Sequence, residues 1–125
     1  MATLAERGIN PNVVNDQVGR LTFTADLADG IHHLLTIRPA YGTYNLTGSG
    51  ETSSWADIAR DVFQLSGHDP NRVTGVTTTE YFSGAPGPIA PRPRNSVLDL
   101  TKIQATDFHS SDASESLGHY LSTIV

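Results

Sequence analysis

The stretch "SWADIARDVFQLSG", residues 54–67, sets the fold class. Ser54 and Asp57 stand three apart, the pattern of a capping box in which hydroxyl and carboxylate each satisfy a free backbone N–H. Behind them Trp55, Ile58, Ala59, Val62 and Phe63 recur at helical intervals on one face, and Gly67 supplies the residue that closes a helix. The spacing predicts a helix from Trp55 to about Ser66. Its stripe, including the only tryptophan of the chain, is expected to be buried against a strand.

Upstream, "GTYNLTG" (42–48) alternates Tyr44 and Leu46 with polar neighbours and predicts a strand. The linking "TGSGETSS" (47–54) superficially resembles a phosphate loop. It lacks the Lys-Ser/Thr of a nucleotide loop and the third glycine of a dinucleotide fingerprint, so a strand-to-helix turn accounts for it. "TADLADGIHHLLTIRP" (24–39) predicts a second amphipathic helix. Thr24 is its expected N-cap, Asp26 and Asp29 suit the positive end of the dipole, and Pro39 stops it. Leu27, Ile31, Leu34 and Leu35 form its expected buried stripe. "NVVND" (12–16) and "GRLTFT" (19–24) read as short β-runs. At the start, "MATLAERG" places Met1, Leu4 and Ala5 on one helical face and Gly8 at the cap. Isolated helices need roughly 12–15 residues, so residues 1–8 read as the tail of a truncated helix and the chain as a fragment.

Downstream, Val73–Thr77 predicts a short strand and Thr78–Ser83 a helical turn. "GAPGPIAPRPR" (84–94) is too rich in proline for helix or central strand and predicts a stiff, extended loop. "SVLDL" (96–100) reads as an extended run, followed by a turn near Leu100–Gln104. A last helix is expected from Asp112, with Glu115 as box partner and Leu117, Tyr120, Leu121, Ile124 and Val125 as its stripe. Strands alternate with about three to four helices, which gives an α/β class. The strands are too few for a complete parallel sheet.

At 125 residues the chain makes one compact domain. A net charge of −5 argues against nucleic acid or an anionic membrane as partner. With no cysteine, disulfides and thiolate chemistry are excluded. No apolar run approaches the roughly 18 residues of a membrane span, and the plain reading is cytoplasmic. Five histidines raise the question of a metal. His32 and His33 are adjacent and diverge on a helix, and no His-x-x-x-His pair exists, so no metal ligands are expected. No G-x-S-x-G elbow is present. The only lysine, Lys102, has Leu98 rather than tyrosine four residues before it, so no catalytic residue is assigned.

Two segments retain binding chemistry. In "NDQVGRLTFT" (15–24), Asp16, Gln17 and Arg20 surround Gly19 at a bend. In "PRPRNS" (91–96), Arg92 and Arg94 alternate along an extended chain and precede the donors Asn95 and Ser96. Such guanidinium pairs grip a diphosphate or a carboxylate. A polar turn rim and surface arginines would give the same residues.

Taken in order, "VVNDQVGRLTFTADLA" (13–28), "GTYNLTGSGETSSWADIA" (42–59) and "RPRNSVLDLTKI" (92–103) resemble successive signatures of the dTDP-4-dehydrorhamnose reductases, extended short-chain dehydrogenase/reductases. Two departures are Leu21, where the family often has proline, and Ala56-Asp57-Ile58, where it often has Tyr-Glu-Phe. The resemblance implies that residues 1–125 are the C-terminal, sugar-nucleotide-binding part of such an enzyme, lacking its Rossmann half. NADPH or NADH would sit on that missing half, along with the catalytic Thr, Tyr and Lys, and no cofactor is expected on this chain. The implied partners are a dTDP-sugar and the N-terminal Rossmann domain. The implied substrate-binding residues are Asp16, Gln17, Gly19, Arg20, Thr22, Arg92, Arg94, Asn95 and Ser96. The fragment alone is expected to be inactive. A non-catalytic regulatory or scaffold relative, or a free-standing module for an anionic ligand, would carry the same residues.

Overall fold

A computed structural model describes residues 1–124. Helix α3 (Trp55–Leu65) is the organising element, as its sequence predicts. The Ser54 hydroxyl accepts from the Asp57 N–H at 3.1 Å, and Asp57 Oδ2 accepts from the Ser54 N–H at 3.1 Å, completing the capping box. The helix lies on the parallel pair β1 (Asn12–Val14) and β4 (Thr74–Val76), where Val13 stands opposite Gly75. Its centre line is Ala56, Ala59 and Phe63, which are essentially inaccessible and cluster with Ala5, Val13 and Val73. Two alanines bring the helix axis close to the strands. Trp55 is therefore rotated off the contact and is 53% exposed, contrary to the expected burial.

A second cluster forms on the other flank of α3. Val62 packs with Leu117 and Leu121 of α6 (Ala113–Ile124), and Leu21, Phe23 and Ile58 lean on it. Asp112 caps α6 by accepting from the N–H groups of Ser114 and Glu115 at 2.8 and 3.2 Å. Tyr120 is half exposed, and its ring lies 6.3 Å from that of Phe23. Val125 and the side chain of Ile124, which the sequence pattern adds to this stripe, lie outside the described residues.

Helix α2 (Thr24–Ile37) differs from its prediction in two ways. Phe23, not Thr24, occupies the N-cap, and no side chain caps it. The fully buried positions are Asp26 and Gly30; of the expected stripe Leu27 and Leu34 are half-buried, while Ile31 and Leu35 are 56% and 70% exposed. The cause is polar. Asp26 Oδ1 accepts from the Ser111 N–H at 3.2 Å, and His33 Nε2 bonds the Thr106 carbonyl at 2.8 Å. Gly30 lies so close to Leu46 that a Cβ there would collide with it. Arg38 ends the helix in the left-handed region, just before Pro39.

The predicted strand "GTYNLTG" is absent among the described residues, and the predicted β-run "GRLTFT" is present only at its first residue. "GTYNLTG" has no neighbouring strand to pair with, so its polar groups go to side chains and loops. Lys102 Nζ donates to the Thr43 carbonyl at 2.9 Å, and the Gly48 N–H donates to the Leu21 carbonyl at 3.1 Å. In "GRLTFT" only Gly19 is in a strand, as the end of β2 (Val18–Gly19), which pairs antiparallel with β3 (Ser53–Ser54). "SVLDL" runs without regular structure into α5 (Thr101–Gln104). Short elements complete the fold: α1 (Ala2–Glu6), a 3-10 turn (Pro70–Arg72) and α4 (Thr78–Tyr81). The result is a small mixed α/β domain with three long helices and two two-stranded sheets. None of its described helices is long and apolar enough to cross a membrane.

Candidate functional site

The bend after β1 is locked to the start of α4. Asp16 Oδ1 accepts from the Thr78 hydroxyl at 2.6 Å and from the Thr78 N–H at 2.9 Å. The Thr78 hydroxyl bond, with help from the Thr78 N–H and the charge of Arg94, holds the Asp16 carboxyl below its ordinary value. Because the single Thr78 hydroxyl proton goes to Asp16, its oxygen must accept the 2.9 Å bond from Gln17 Nε2. Gln17 Oε1 is thereby left as an acceptor with no partner among the described residues.

Two residues on, β2 receives the arginine segment as a neighbour. The Val18 N–H donates to the Arg94 carbonyl at 2.8 Å, and the Ser96 N–H donates back to the Val18 carbonyl at 2.9 Å. The Ser96 hydroxyl also donates to that carbonyl, at 3.1 Å. A Cβ at position 19 would come within 2.8 Å of Ser96 Oγ, so the close approach of the two segments requires Gly19. Asn95 turns its Oδ1 onto the Val97 N–H at 2.9 Å and so shapes the loop.

This pairing opens a cavity of about 370 Å³ lined by Gln17, Trp55, Arg92, Pro93 and Ser96. Asp16, Gly19 and Arg94 flank it through the contacts above, while Asn95 lines a separate cavity together with Arg20, Ser49 and Asp99. Arg20 and Thr22 also stand elsewhere. Arg20 Nε donates to the Gly50 carbonyl at 2.8 Å, and the side chain borders a separate cavity with Glu51, Asp61 and Asp112. In that second cavity burial, and secondarily the Asp57 charge, pushes the Asp61 carboxyl up. Thr22 Oγ1 pairs with Thr47 Oγ1 at 2.7 Å, away from the arginines. Sequence reasoning missed Trp55 and Thr78. The signal for Trp55 was its place at the first helical position, one residue off the Ala56–Ala59–Phe63 line. Thr78 carried no signal beyond its place behind the Thr77 cap.

A family model described as the RmlD substrate binding domain matches residues 1–125. The chain belongs to that family. A dTDP-4-dehydrorhamnose reductase from Streptomyces griseus is 43% identical over 98 residues, 74% of this chain and 30% of the relative. The crystal structure of a dTDP-4-dehydrorhamnose reductase from Clostridium acetobutylicum superposes with a TM-score of 0.83 at 34% identity, covering 98% of this chain and 42% of that one. A third relative, the Bacillus anthracis dTDP-4-dehydrorhamnose reductase solved in complex with NADP, gives a TM-score of 0.80 at 27% identity over 98% and 41%. The RmlD domain described here thus spans less than half the length of each of these reductases.

Proposed function

We propose that this RmlD domain is the C-terminal substrate-binding part, residues 1–125, of an NADPH- or NADH-dependent dTDP-4-dehydrorhamnose reductase working in the cytoplasm. In the parent enzyme it positions a dTDP-sugar for reduction at the 4-keto carbon. The observation that carries this reading is the convergence of Arg92, Gln17 and Ser96 on one concavity, with Arg94 alongside, in a chain whose net charge is −5. Two of the eight cationic side chains of an acidic protein set two residues apart on one loop offer an anionic small molecule a local well of positive potential. The nicotinamide cofactor and the proton donor belong to the other half of the parent. The chain's own contribution is orientation of the sugar nucleotide, and taken alone it is inactive.

The exposed apolar side chains of Ile31 and Leu35, one turn apart on α2, and of Tyr41 beside Leu35 support the same reading. They form a surface suited to a companion domain, and we assign it to the Rossmann half.

The test is steady-state kinetics of the parent reductase. Arg92→Ala or Arg94→Ala removes a charge-assisted contact and is expected to raise KM for the dTDP-sugar by roughly ten- to a hundredfold. Because a diphosphate remote from the reacting carbon is held alike in ground and transition states, kcat should change less. KM for the nicotinamide cofactor should stay put. Arg7→Ala, at the exposed end of α1, is the control. If both loop variants match that control, the site assignment fails.

A further inference from the structure

We infer that the indole of Trp55 is the platform on which the pyrimidine base of the nucleotide stacks, with Gln17 Oε1 reading the N3–H of that base. The inference rests on the nucleotide-sugar reading above and assigns a part of the ligand to particular side chains.

Three observations converge on it. First, Trp55 is the only tryptophan, sits on the most firmly capped helix of the domain, and still leaves 53% of its surface to solvent. Helix α3 is held by Ala56, Ala59, Val62 and Phe63, so packing makes no demand for a tryptophan at this position. An exposed indole costs solubility, and its flat apolar face suits a ring. Second, that indole lines the cavity that also holds Arg92 and Ser96. At about 370 Å³, this cavity falls within the size range of small-molecule sites. An aromatic face beside a guanidinium matches the two ends of a nucleoside diphosphate, one apolar and planar, the other anionic.

Third, the Gln17 amide is oriented by its surroundings. Asp16 takes the Thr78 proton, Thr78 Oγ1 takes the Gln17 Nε2 proton, and Oε1 remains as an acceptor on a residue of the cavity wall. Thymine and uracil present a donor at N3, whereas cytosine presents an acceptor there. An oriented amide oxygen therefore favours thymine or uracil and is repelled by cytosine. The chain Asp16–Thr78–Gln17 positions this selectivity without touching the ligand through Asp16 or Thr78.

The experiment uses the 125-residue chain with dTDP, dCDP and inorganic pyrophosphate as probes. Tryptophan fluorescence reports on one residue only, and calorimetry follows the variants that lack it. Saturable quenching by dTDP is expected, with dCDP binding at least several-fold more weakly. Trp55→Ala is expected to weaken dTDP by roughly 5- to 100-fold, while Trp55→Phe recovers most of the affinity. Pyrophosphate binding should be the same in all three proteins. If dTDP binds and Trp55→Ala leaves its affinity within twofold, the stacking assignment falls and the nucleotide reading stands. If Trp55→Ala weakens pyrophosphate as much as dTDP, the indole only supports the loop and the assignment falls likewise. Equal affinity for dTDP and dCDP overturns the role of Gln17. Absence of dTDP binding at millimolar concentrations overturns both this inference and the reading beneath it.

Discussion

Helices α2 and α3 both carry an apolar stripe, and the domain buries that of α3 far more fully than that of α2. On α3 the stripe meets β1 and β4 on one side and α6 on the other, and Phe63 is fully buried. On α2 only Leu27 and Leu34 are half-buried and Ile31 and Leu35 stay in solvent, while the inward side is the buried Asp26 and Gly30 with polar ties to Ser111 and Thr106. Amphipathic periodicity states that a face is destined for burial. It does not state which part of a protein does the burying.

The contrast can be broken most directly at Phe63. Phe63→Ala empties the centre of the first cluster and is expected to cost about 3–5 kcal/mol, read as a lowered urea midpoint at unchanged slope. A loss below about 1 kcal/mol would mean that α3 is not the keystone described here. Next comes Arg72, whose guanidinium donates to Asn10 Oδ1 and to the carbonyls of Ala5 and Ile9 at 3.0–3.2 Å and lies 5.2 Å from the Phe63 ring centroid. Arg72→Ala should cost about 1.5–3 kcal/mol, since it frees two backbone acceptors and uncovers the ring. The same measurement checks it, and no change would show that the chain segment 5–10 holds itself. The smallest effect is expected on α2. Leu35→Ser should move the stability of this chain by no more than about 0.5 kcal/mol. A large loss would mean that the α2 stripe already has a partner within the domain. In a parent reductase the same substitution should weaken the attachment of the two halves, which limited proteolysis would reveal.

The sequence was most legible where the local signal and the tertiary demand agree. Ser54, Asp57 and the 55–65 periodicity specify α3 because capping, propensity and packing all point one way. The proline-rich stretch before Arg92 is equally legible, since nothing but a loop tolerates it. Legibility fails where the outcome depends on a neighbour. Residues 42–48 have strand-like alternation, yet no adjacent strand is present to complete a ladder. The α2 stripe is correct as a pattern but only half of it is covered, Leu27 and Leu34 against exposed Ile31 and Leu35, because one buried carboxylate and one glycine choose the inward side. At the site, the approach of Gln17 to Arg92 and Ser96 follows from β2 pairing with residues 94–96, a contact across more than seventy residues. No local spacing encodes it. Trp55 was misjudged for the opposite reason, since its membership of an apolar face was real and its position at the edge of that face decided its exposure.

The anchoring of the arginine loop has a consequence for how such a domain can diversify. Residues 16–18 hold both of its ends: Asp16 and Gln17 grip Thr78, and Val18 grips Arg94 and Ser96. Everything from Ser83 to Ser96 is exposed. The loop is therefore a hoop hung from a single turn, and its two feet stay in place whatever its length. Lengthening such a hoop is thermodynamically cheap, because each doubling of a flexible loop adds only about 0.6 kcal/mol of closure entropy. Insertions and deletions between Gly84 and Pro91 can thus reshape the rim over the cavity while leaving Gln17, Trp55 and Ser96 where they are. Descendants of one ancestral domain can acquire different ligand preferences through changes in this segment alone, with the hydrophobic core untouched.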